Sequence, residues 1–386
     1  MPSLTDRTRL IAGATRRGGG RRPVNPPIER ASTMLSDRVA DMRDPSLGPL
    51  YGLDGTSAAR ELRAAVADLE GAADAWLTPS GLSAVTVPLL ALARPGDEIL
   101  TTDAAYGPTR RFLTRHMGQR GVASRFHPAA ASAADILSML TERTRVLLIE
   151  SPGSLTFEML DVSALAAACR ERGVLTVMDN TWAAGLAFRP LAQGVDISVQ
   201  ALTKYAAGHS DLLMGSIALS DPELNRAICE TIEDLGWHVS PDDAWLALRG
   251  LRTLPLRYEQ QARSALTIAE WLTARPEVAT VLYPALPGSV GHDLWARDYT
   301  GAAALLGVVL KDGAMAQAHR LLDALTLFGL GYSWGGFESL ATYETPQLAF
   351  RQTRPDLPGS LLRLHIGLED PVDLIADLEQ AFAALA

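Results

Sequence analysis

The sequence has few cysteines, no excess of positive charge and no long apolar run. Its 386 residues include two cysteines, Cys169 and Cys229, which cannot form a disulfide framework and therefore indicate a reducing compartment. The formal net charge of −9 argues against generic nucleic-acid binding. No run of about 18 apolar residues is present that could cross a bilayer. The seven histidines show no metal-ligand spacing, so we predict no metal site.

What is present is a globular composition, with 47% hydrophobic and 20% charged residues, and enough length for more than one domain. From about residue 75 to residue 220, strand patterns alternate with helix patterns. This alternation is typical of a mostly parallel sheet covered on both faces. Such sheets bind ligands at the carboxyl ends of their strands. The pattern changes after Pro276, and we place the start of a smaller domain near residues 250–255.

A lysine and an aspartate each follow an apolar, strand-like run. Lys204 comes shortly after the run 196–200, and Asp179 ends the run 174–179. Desolvation at a strand end would lower the basicity of the Lys204 amine, which could then attack an aldehyde. Asp179 could pair with the protonated ring nitrogen that pyridoxal phosphate (PLP) needs as an electron sink, and a low pKa of its carboxyl would favour this. Because a single lysine is more often a solvated surface charge, the prediction depends on the pair.

These two segments, residues 179–185 (DNTWAAG) and 204–211 (KYAAGHSD), resemble the Cys/Met-metabolism PLP enzymes, the cystathionine γ-synthase family. The resemblance runs from about Thr8 to the C-terminus. It implies an α/β protein of PLP-dependent transferase fold type I (aspartate aminotransferase-like), with a large, mostly parallel-sheet domain over 51–252 and a smaller C-terminal α/β domain over 253–386. It also implies PLP as cofactor, a homotetramer and a cytoplasmic enzyme of transsulfuration and methionine biosynthesis.

Residues 1–50 are predicted to form an irregular N-terminal arm, because their first part is rich in proline, glycine and arginine. The resemblance implies that this arm lies across a neighbouring subunit. Composition alone leaves a disordered tail or an Arg-rich transit peptide as alternatives. We favour the arm because the resemblance already begins near Thr8.

The resemblance also assigns the site. It implies that Lys204 binds PLP and acts as the base, that Asp179 pairs with the ring nitrogen, and that Tyr106 stacks on the ring and assists proton transfer. It further implies a phosphate-binding cup formed by Ser80, Gly81, Leu82 and Thr203. Tyr51 is implied to reach across the subunit interface to the cofactor phosphate of the neighbouring subunit. The substrate residues are an arginine for the α-carboxylate and four neighbours: Arg363, Ser333, Trp334, Tyr51 and Tyr106.

Residue chemistry supports some of these roles and leaves others open. A small-residue turn before a helix, as at 78–84, offers backbone N–H groups to an anion, but it is also an ordinary turn. Arg363 lies on an alternating strand, where an inward arginine needs an anionic partner, either a ligand or a buried carboxylate. His209 and His365 are predicted to be structural, and Cys169 is predicted to be a buried thiol.

The chain departs from the family pattern at several places around the site. Leu53 stands where an arginine is usual, Asp54 replaces a basic residue, and Ala201 replaces a serine that would bind phosphate. Losing a bidentate cation from a phosphate site is not a conservative change. Arg111 also has the opposite charge to the family pattern, and we hypothesise that it forms a swapped ion pair with Asp54. Trp245 occupies a position that is usually tyrosine.

The resemblance implies a carbon–sulfur β-lyase that converts cystathionine, or a related cysteine thioether, to a thiol (homocysteine), pyruvate and ammonia. Residues 179–185 and 332–336 (YSWGG) favour this activity. The alternative is a γ-acting member of the family, namely a cystathionine γ-synthase, a γ-lyase or an O-acyl-homoserine sulfhydrylase. A non-catalytic binding protein of the same fold would lack Lys204 or Asp179, and both are present.

Overall fold

Two β-sheets organise the chain, as seen in a computed structural model that describes residues 5–15, 21, 23–311, 315–353 and 355–385. The described residues contain a seven-stranded sheet followed by a five-stranded sheet. The strands of the first sheet are β1 (Asp74–Thr78), β2 (Glu98–Thr102), β3 (Ala123–His127), β4 (Thr144–Glu150), β5 (Leu175–Asp179), β6 (Ile197–Ala201) and β7 (Gly215–Leu219). Those of the second are β8 (Val278–Leu282), β9 (Leu305–Leu310), β10 (Gly329–Leu330), β11 (Leu340–Tyr343) and β12 (Leu361–His365).

Helices cover both sheets. They are α1 (Asp6–Thr15), α2 (Ser57–Glu70), α3 (Gly81–Leu92), α4 (Gly107–Arg111), α5 (Ala133–Ser138), α6 (Val162–Glu171), α7 (Pro222–Leu235), α8 (Pro241–Thr273), α9 (His292–Asp298), α10 (Met315–Ala324) and α11 (Pro371–Ala383). A π-helical turn over Phe112–Met117 continues α4. The strand and helix patterns predicted between residues 75 and 220 are therefore confirmed.

The first sheet has the strand order β1-β7-β6-β5-β4-β2-β3. Its strands run parallel except β7, which is antiparallel to both neighbours. Strands β2, β6 and β7 are buried almost throughout because helices pack on both faces, as in other sheets of this kind. This confirms the predicted α/β class and brings the carboxyl ends of β4, β5 and β6 to one edge of the sheet.

The second sheet has the order β10-β11-β12-β9-β8 and is mostly antiparallel. The long helix α8 leads into it. A serine N-cap, Ser240, and a proline at the first turn, Pro241, define the start of this helix, because a side-chain oxygen satisfies free N–H groups and proline needs none there. The predicted change of character after Pro276 is the start of β8.

The predicted irregular arm is wrong over residues 6–15, which form helix α1. Leu10 on this helix is buried in the main core, where α1 packs against α2 and α8. Beyond it, Arg30 pairs with Asp242 at the start of α8, and the indole nitrogen of Trp245 donates to the Pro26 carbonyl at 3.2 Å. Parts of the predicted arm, residues 1–4, 16–20 and 22, lie outside the described residues.

Within the described part of the chain, every helix is too short or too polar to cross a membrane.

Candidate active site

The carboxyl ends of adjacent strands β5 and β6 deliver Asp179 and the segment that carries Lys204. Asp179 is the last residue of β5, and its Oδ1 accepts hydrogen bonds from the backbone N–H (3.0 Å) and hydroxyl (2.5 Å) of Thr181. The Thr181 hydroxyl in turn accepts the N–H of Ala201 at 2.9 Å, which joins the ends of the two strands. Among the described residues no hydrogen bond reaches Oδ2, so one carboxylate oxygen is fixed and the other is available.

The pKa of Asp179 is shifted away from the low value that would favour its pairing with a ring nitrogen. Burial raises the pKa of the Asp179 carboxyl, while the Thr181 bonds and the charge of Lys204 act in the opposite direction. Desolvation therefore outweighs the stabilising contacts at this position. A cationic ring nitrogen placed against Oδ2 would lower the pKa of Asp179 again, because a paired positive charge stabilises a buried carboxylate.

Lys204 follows β6 and contacts the loop between β10 and β11 of the second sheet. Its Nζ donates to the hydroxyl of Ser333 at 2.7 Å and lies 5.2 Å from the centroid of the Trp334 ring. Burial, reinforced by the nearby charge of Arg363, lowers the pKa of the Lys204 amine to about 8, and Asp179 only partly opposes this. The amine is therefore much closer to its neutral, nucleophilic form at physiological pH than an exposed lysine.

Ser333 connects the amine to the predicted carboxylate clamp. Its hydroxyl accepts from Lys204, and its carbonyl lies 3.4 Å from Nη2 of Arg363. Ser333 has a φ of +85°, an unusual backbone conformation for a residue with a side chain and one that is enriched at functional sites. The next turn is equally tight, because a Cβ added at Gly335 would come within 2.8 Å of the Tyr205 nitrogen.

Arg363 is placed on β12 and faces the same site. Its side chain is 12% exposed and lies 3.5 Å from Glu344, whose side chain is 0% exposed. Burial lowers the pKa of the Arg363 guanidinium, and Glu344 raises it. The sequence left two partners open for Arg363, a ligand or a buried carboxylate. The structure supplies the buried carboxylate, Glu344, and the contact of Arg363 with Ser333 also places the guanidinium near Lys204, where a ligand could bind.

Tyr106 completes the group. Its backbone N–H donates to Oε2 of Glu150 at 2.7 Å, and Glu150 is the register partner of Asp179 on the neighbouring strand. Burial raises the pKa of the Tyr106 hydroxyl, and the charges of Asp179 and Glu150 raise it further, whereas Arg363 lowers it. These charges all act on one phenol, so Tyr106, Asp179 and Arg363 share one site.

The predicted phosphate cup is the N-terminus of α3. Ser80 caps this helix, with its Oγ accepting from the Ser83 N–H at 3.1 Å. A Cβ added at Gly81 would meet the Cβ of Ala201 at 2.4 Å, so the first turn of α3 lies directly against the end of β6. Gly81 and Leu82 are the first two residues of the helix, whose N–H groups have no intrahelical acceptor and can bind an anion. The hydroxyl of Thr203 instead donates to the Met214 carbonyl at 3.1 Å.

Tyr51 is not brought to Lys204 within one chain. It is 54% exposed and pairs in a short antiparallel bridge with Thr33. Asp54 accepts from the backbone N–H groups of Leu50 (3.0 Å) and Tyr51 (2.9 Å), and in the described part of the chain it forms no ion pair with Arg111. The hypothesis of a swapped pair is therefore wrong within one chain.

Two carboxylates of the site, Glu150 and Glu344, are assigned no role by the sequence reasoning. Glu150 is the last residue of β4, so the strand-end rule that identifies Asp179 applies equally to it. Burial, and the charge of Asp179 next to it, raise the pKa of Glu150 well above its usual range. Glu344 follows β11 in a polar stretch and gives no comparable signal.

The two histidines predicted to be structural, His365 and His209, are both hydrogen-bonded to the backbone. His365 is buried and accepts the Gly335 N–H at 3.0 Å, and burial lowers the pKa of its ring to about 4. The ring of His209 is hydrogen-bonded to the Ala207 carbonyl at 2.7 Å. Cys169 is fully buried, also as predicted. Within the described residues there is no group of three or more His, Cys, Asp and Glu side chains that could hold a metal ion.

The residues fit PLP as a cofactor. A desolvated amine suits the aldehyde, a carboxylate with one free oxygen suits the ring nitrogen, and a helix N-terminus beside the same strand suits the phosphate. Each donor is of the chemical type that the corresponding group requires. The arrangement therefore fits an aldehyde-bearing, phosphorylated pyridine.

Comparison with known proteins agrees with this geometry. Residues 7–383 match the family model described as Cys/Met metabolism PLP-dependent enzyme. The chain belongs to this family, and it is therefore a PLP-dependent enzyme.

Two sequence relatives are named as β-lyases, and one solved structure is named as a γ-synthase. The chain is 43% identical to a cystathionine beta-lyase of Bordetella avium, over 94% of this chain and 92% of the relative. It is 42% identical to cystathionine beta-lyase MetC of Escherichia coli, over 94% of each. Among solved structures, cystathionine gamma synthase of Xanthomonas oryzae pv. oryzae, in complex with aminoacrylate and cysteine, superposes with a TM-score of 0.91 at 31% identity, over 99% of each chain. These similarities confirm the predicted family and fold class.

Proposed function

We propose that this protein is a carbon–sulfur β-lyase that cleaves cystathionine, or a related cysteine thioether, to homocysteine or the corresponding thiol, pyruvate and ammonia. The observation that carries the proposal is the contact of Lys204 with Ser333, which places the amine beside the Arg363 guanidinium and within the field of Asp179. The similarity to two relatives named cystathionine beta-lyase supports the β-position as the site of cleavage.

PLP, when bound, supplies an electron sink that stabilises negative charge at Cα of the substrate. We propose that Lys204 binds its aldehyde and that the free oxygen of Asp179 holds its ring nitrogen. The N–H groups of Gly81 and Leu82, with Ser80, would hold its phosphate, and Tyr106 would lie on its ring. The hydroxyl proton of Thr203 is already donated to the Met214 carbonyl. Thr203 would therefore help to shape the phosphate site without donating that proton to the phosphate.

The chain's own residues then bind the substrate and move its protons. Arg363 binds the α-carboxylate, which orients the Cα–H bond, and the amine of Lys204 removes the proton, since a pKa of about 8 makes it a base near neutral pH. Ser333 directs the amine through its hydroxyl. Burial keeps the pKa of the Tyr106 hydroxyl raised, so this hydroxyl stays protonated and can donate to the departing sulfur.

We also propose the domain division and assembly that the family resemblance implies. The two sheets support a large domain over 51–252 and a small one over 253–386, with α8 crossing the boundary. The exposed Tyr51 supports a homotetramer in which the segment 23–50, beyond α1, reaches a neighbouring subunit, where Tyr51 and Trp334 would line the shared site. The free thiols of Cys169 and Cys229 support a cytoplasmic location.

The test is product analysis of the purified, PLP-loaded enzyme with L-cystathionine. We expect pyruvate, homocysteine and ammonia, and no product from Lys204→Ala. Formation of 2-oxobutanoate and cysteine instead would establish cleavage at the γ-position, and the Xanthomonas oryzae structure is named as a γ-acting enzyme. Absence of turnover with cystathionine, but release of pyruvate from another cysteine thioether, would retain the reaction and change the substrate.

A further inference from the structure

A fully buried carboxylate, Glu344, lies behind the arginine of the site. Its Oε1 is 3.5 Å from Nη2 of Arg363, and its side chain has no exposed surface. Glu344 follows directly after β11, and its backbone N–H extends the ladder by donating to the Leu361 carbonyl at 2.9 Å. Since Thr342 is the register partner of Arg363, strand alternation puts Glu344 on the same face as the guanidinium.

Two side chains hold this carboxylate in place. The hydroxyl of Thr342 donates to Oε1 at 2.7 Å, and the amide of Gln347 donates to Oε2 in a very short contact. Hydrogen bonds to both oxygens fix the orientation of the carboxyl group. Thr342 and Gln347 therefore fix the carboxyl group of Glu344 at the end of β11, where it faces Arg363.

The charges on Arg363 are otherwise uncompensated. Its Nη2 contacts Glu344 and the Ser333 carbonyl, and among the described residues no acceptor is bonded to Nη1 or Nε. The titratable groups that act on the guanidinium are Glu344, the Lys204 amine and the phenols of Tyr106 and Tyr332, of which Glu344 is the one carboxyl group. One side of the guanidinium is thus neutralised and the other is open to a ligand.

We propose that Glu344 is a positioning residue that orients Arg363 and lowers the net positive charge of the subsite, and so sets how tightly the substrate's α-carboxylate is held. This inference rests on the proposed role of Arg363 in binding that carboxylate. A bound substrate and Glu344 place two carboxylates on one guanidinium, and at this range two like charges in a partly desolvated site repel each other strongly. Glu344 therefore weakens binding while keeping the guanidinium in a fixed orientation.

The experiment compares two probes that differ only in the carboxylate, glycine and methylamine. Their dissociation constants are measured on the PLP-loaded enzyme from the change in cofactor absorbance. In Glu344→Gln, which preserves size and keeps one of the two acceptor oxygens, we expect glycine to bind about fivefold or more tightly while methylamine is unchanged. The matched control is Glu277→Gln, which removes the same charge from a partly exposed pair with Arg275 and should change neither constant.

Unchanged or weaker glycine binding in Glu344→Gln would overturn the inference. If that variant fails to fold or to retain PLP, Glu344→Asp withdraws the carboxylate by one methylene, and the same preferential gain for glycine, smaller in size, is expected. Equal effects on glycine and methylamine in either variant would also overturn it, because a general loosening of the site does not depend on the carboxylate.

A third variant separates this inference from the function on which it rests. Arg363→Lys should weaken glycine relative to methylamine. If it leaves that ratio unchanged, the proposed role of Arg363 fails and the inference fails with it. If it weakens glycine but Glu344→Gln does not tighten it, only the role of Glu344 is rejected.

Discussion

Burial and the charge of Arg363 together lower the pKa of the Lys204 amine to about 8, well below that of an exposed lysine. Below this pH the amine is mostly protonated and cannot attack an aldehyde, and above it the neutral form dominates. The position of Lys204 after β6, against the loop between β10 and β11, thus supplies a nucleophile near neutral pH without a separate base.

We predict that uptake of PLP by the cofactor-free protein accelerates as pH rises, with a midpoint near 8. The measurement is the rate of appearance of the bound-cofactor absorbance across a series of buffers. A simple alkylamine, treated identically, serves as the control with an unperturbed midpoint of about 10. A protein midpoint that coincides with the alkylamine would show that the amine is not desolvated.

The negative charge of Asp179 is tested by the variant Asp179→Asn. In Asp179→Asn the acceptor oxygen for Thr181 is kept, so the end of β5 should remain folded, while the charge at Oδ2 is lost. We predict a decrease in kcat of about 100-fold or more, because a preorganised charge at the reacting centre has an effect of this size. The unfolding temperature should stay within a few degrees of the wild type. A near-normal kcat would contradict the pairing of Asp179 with the ring nitrogen.

At the level of elements, the site depends on how closely helix α3 approaches strand β6. The residue of α3 at this contact, Gly81, must be glycine, because any side chain there would overlap Ala201 at the end of β6. The approach brings the N–H groups of the first helical turn next to the segment that carries Lys204. Backbone spacing, and not only side-chain identity, therefore builds the phosphate cup.

We predict that Gly81→Ala weakens PLP binding at least tenfold and destabilises the fold by about 1–3 kcal/mol, because the new methyl group overpacks the contact with Ala201. The control is Gly118→Ala. Gly118 has helical backbone (φ −57°) and open space around its Cβ position, so this change should leave both quantities unchanged or raise stability slightly. Equilibrium dialysis of PLP and urea unfolding measure the two effects. Equal behaviour of the two variants would contradict a tight contact between α3 and β6.

At the level of the whole molecule, the segment that precedes α2 exposes several large apolar side chains. Leu35 is 95% exposed and Val39 is 86% exposed, and Leu47 and Tyr51 are also largely exposed. Apolar side chains clustered in one segment in this way are typical of a surface that another chain covers. This clustering is consistent with the proposed assembly, in which the segment contacts a neighbouring subunit.

We predict that the double variant Leu35→Asp, Val39→Asp has a smaller mass in solution than the wild type, which we expect to be a tetramer. Light scattering coupled to size-exclusion chromatography measures the mass. Val290→Asp, at an 81% exposed valine elsewhere on the surface, controls for the added charge and should remain tetrameric. A wild type that is already a monomer, or a double variant of unchanged mass, would contradict the assignment.

The sequence by itself determined the class of this protein and the principal chemical groups of its site. Lys204 and Asp179 follow strand patterns, and the end of a parallel strand is a fixed place in such a sheet, so local pattern was sufficient to place them together. Arg363 was assigned by the family resemblance, because a cation on an alternating strand could equally pair with a ligand or with a buried carboxylate. These are properties of single segments and need no knowledge of how distant segments pack.

Only the tertiary structure decided which partners these groups have. Glu344 faces Arg363 across a strand pairing, Ser333 reaches Lys204 from the second sheet, and neither contact has a signal in the spacing of residues. The raised pKa of Asp179 likewise depends on desolvation by several segments of the chain that surround its carboxyl group. Partners and pKa values are set by the arrangement of residues far apart in the chain, and this arrangement exists only after the two sheets have packed together.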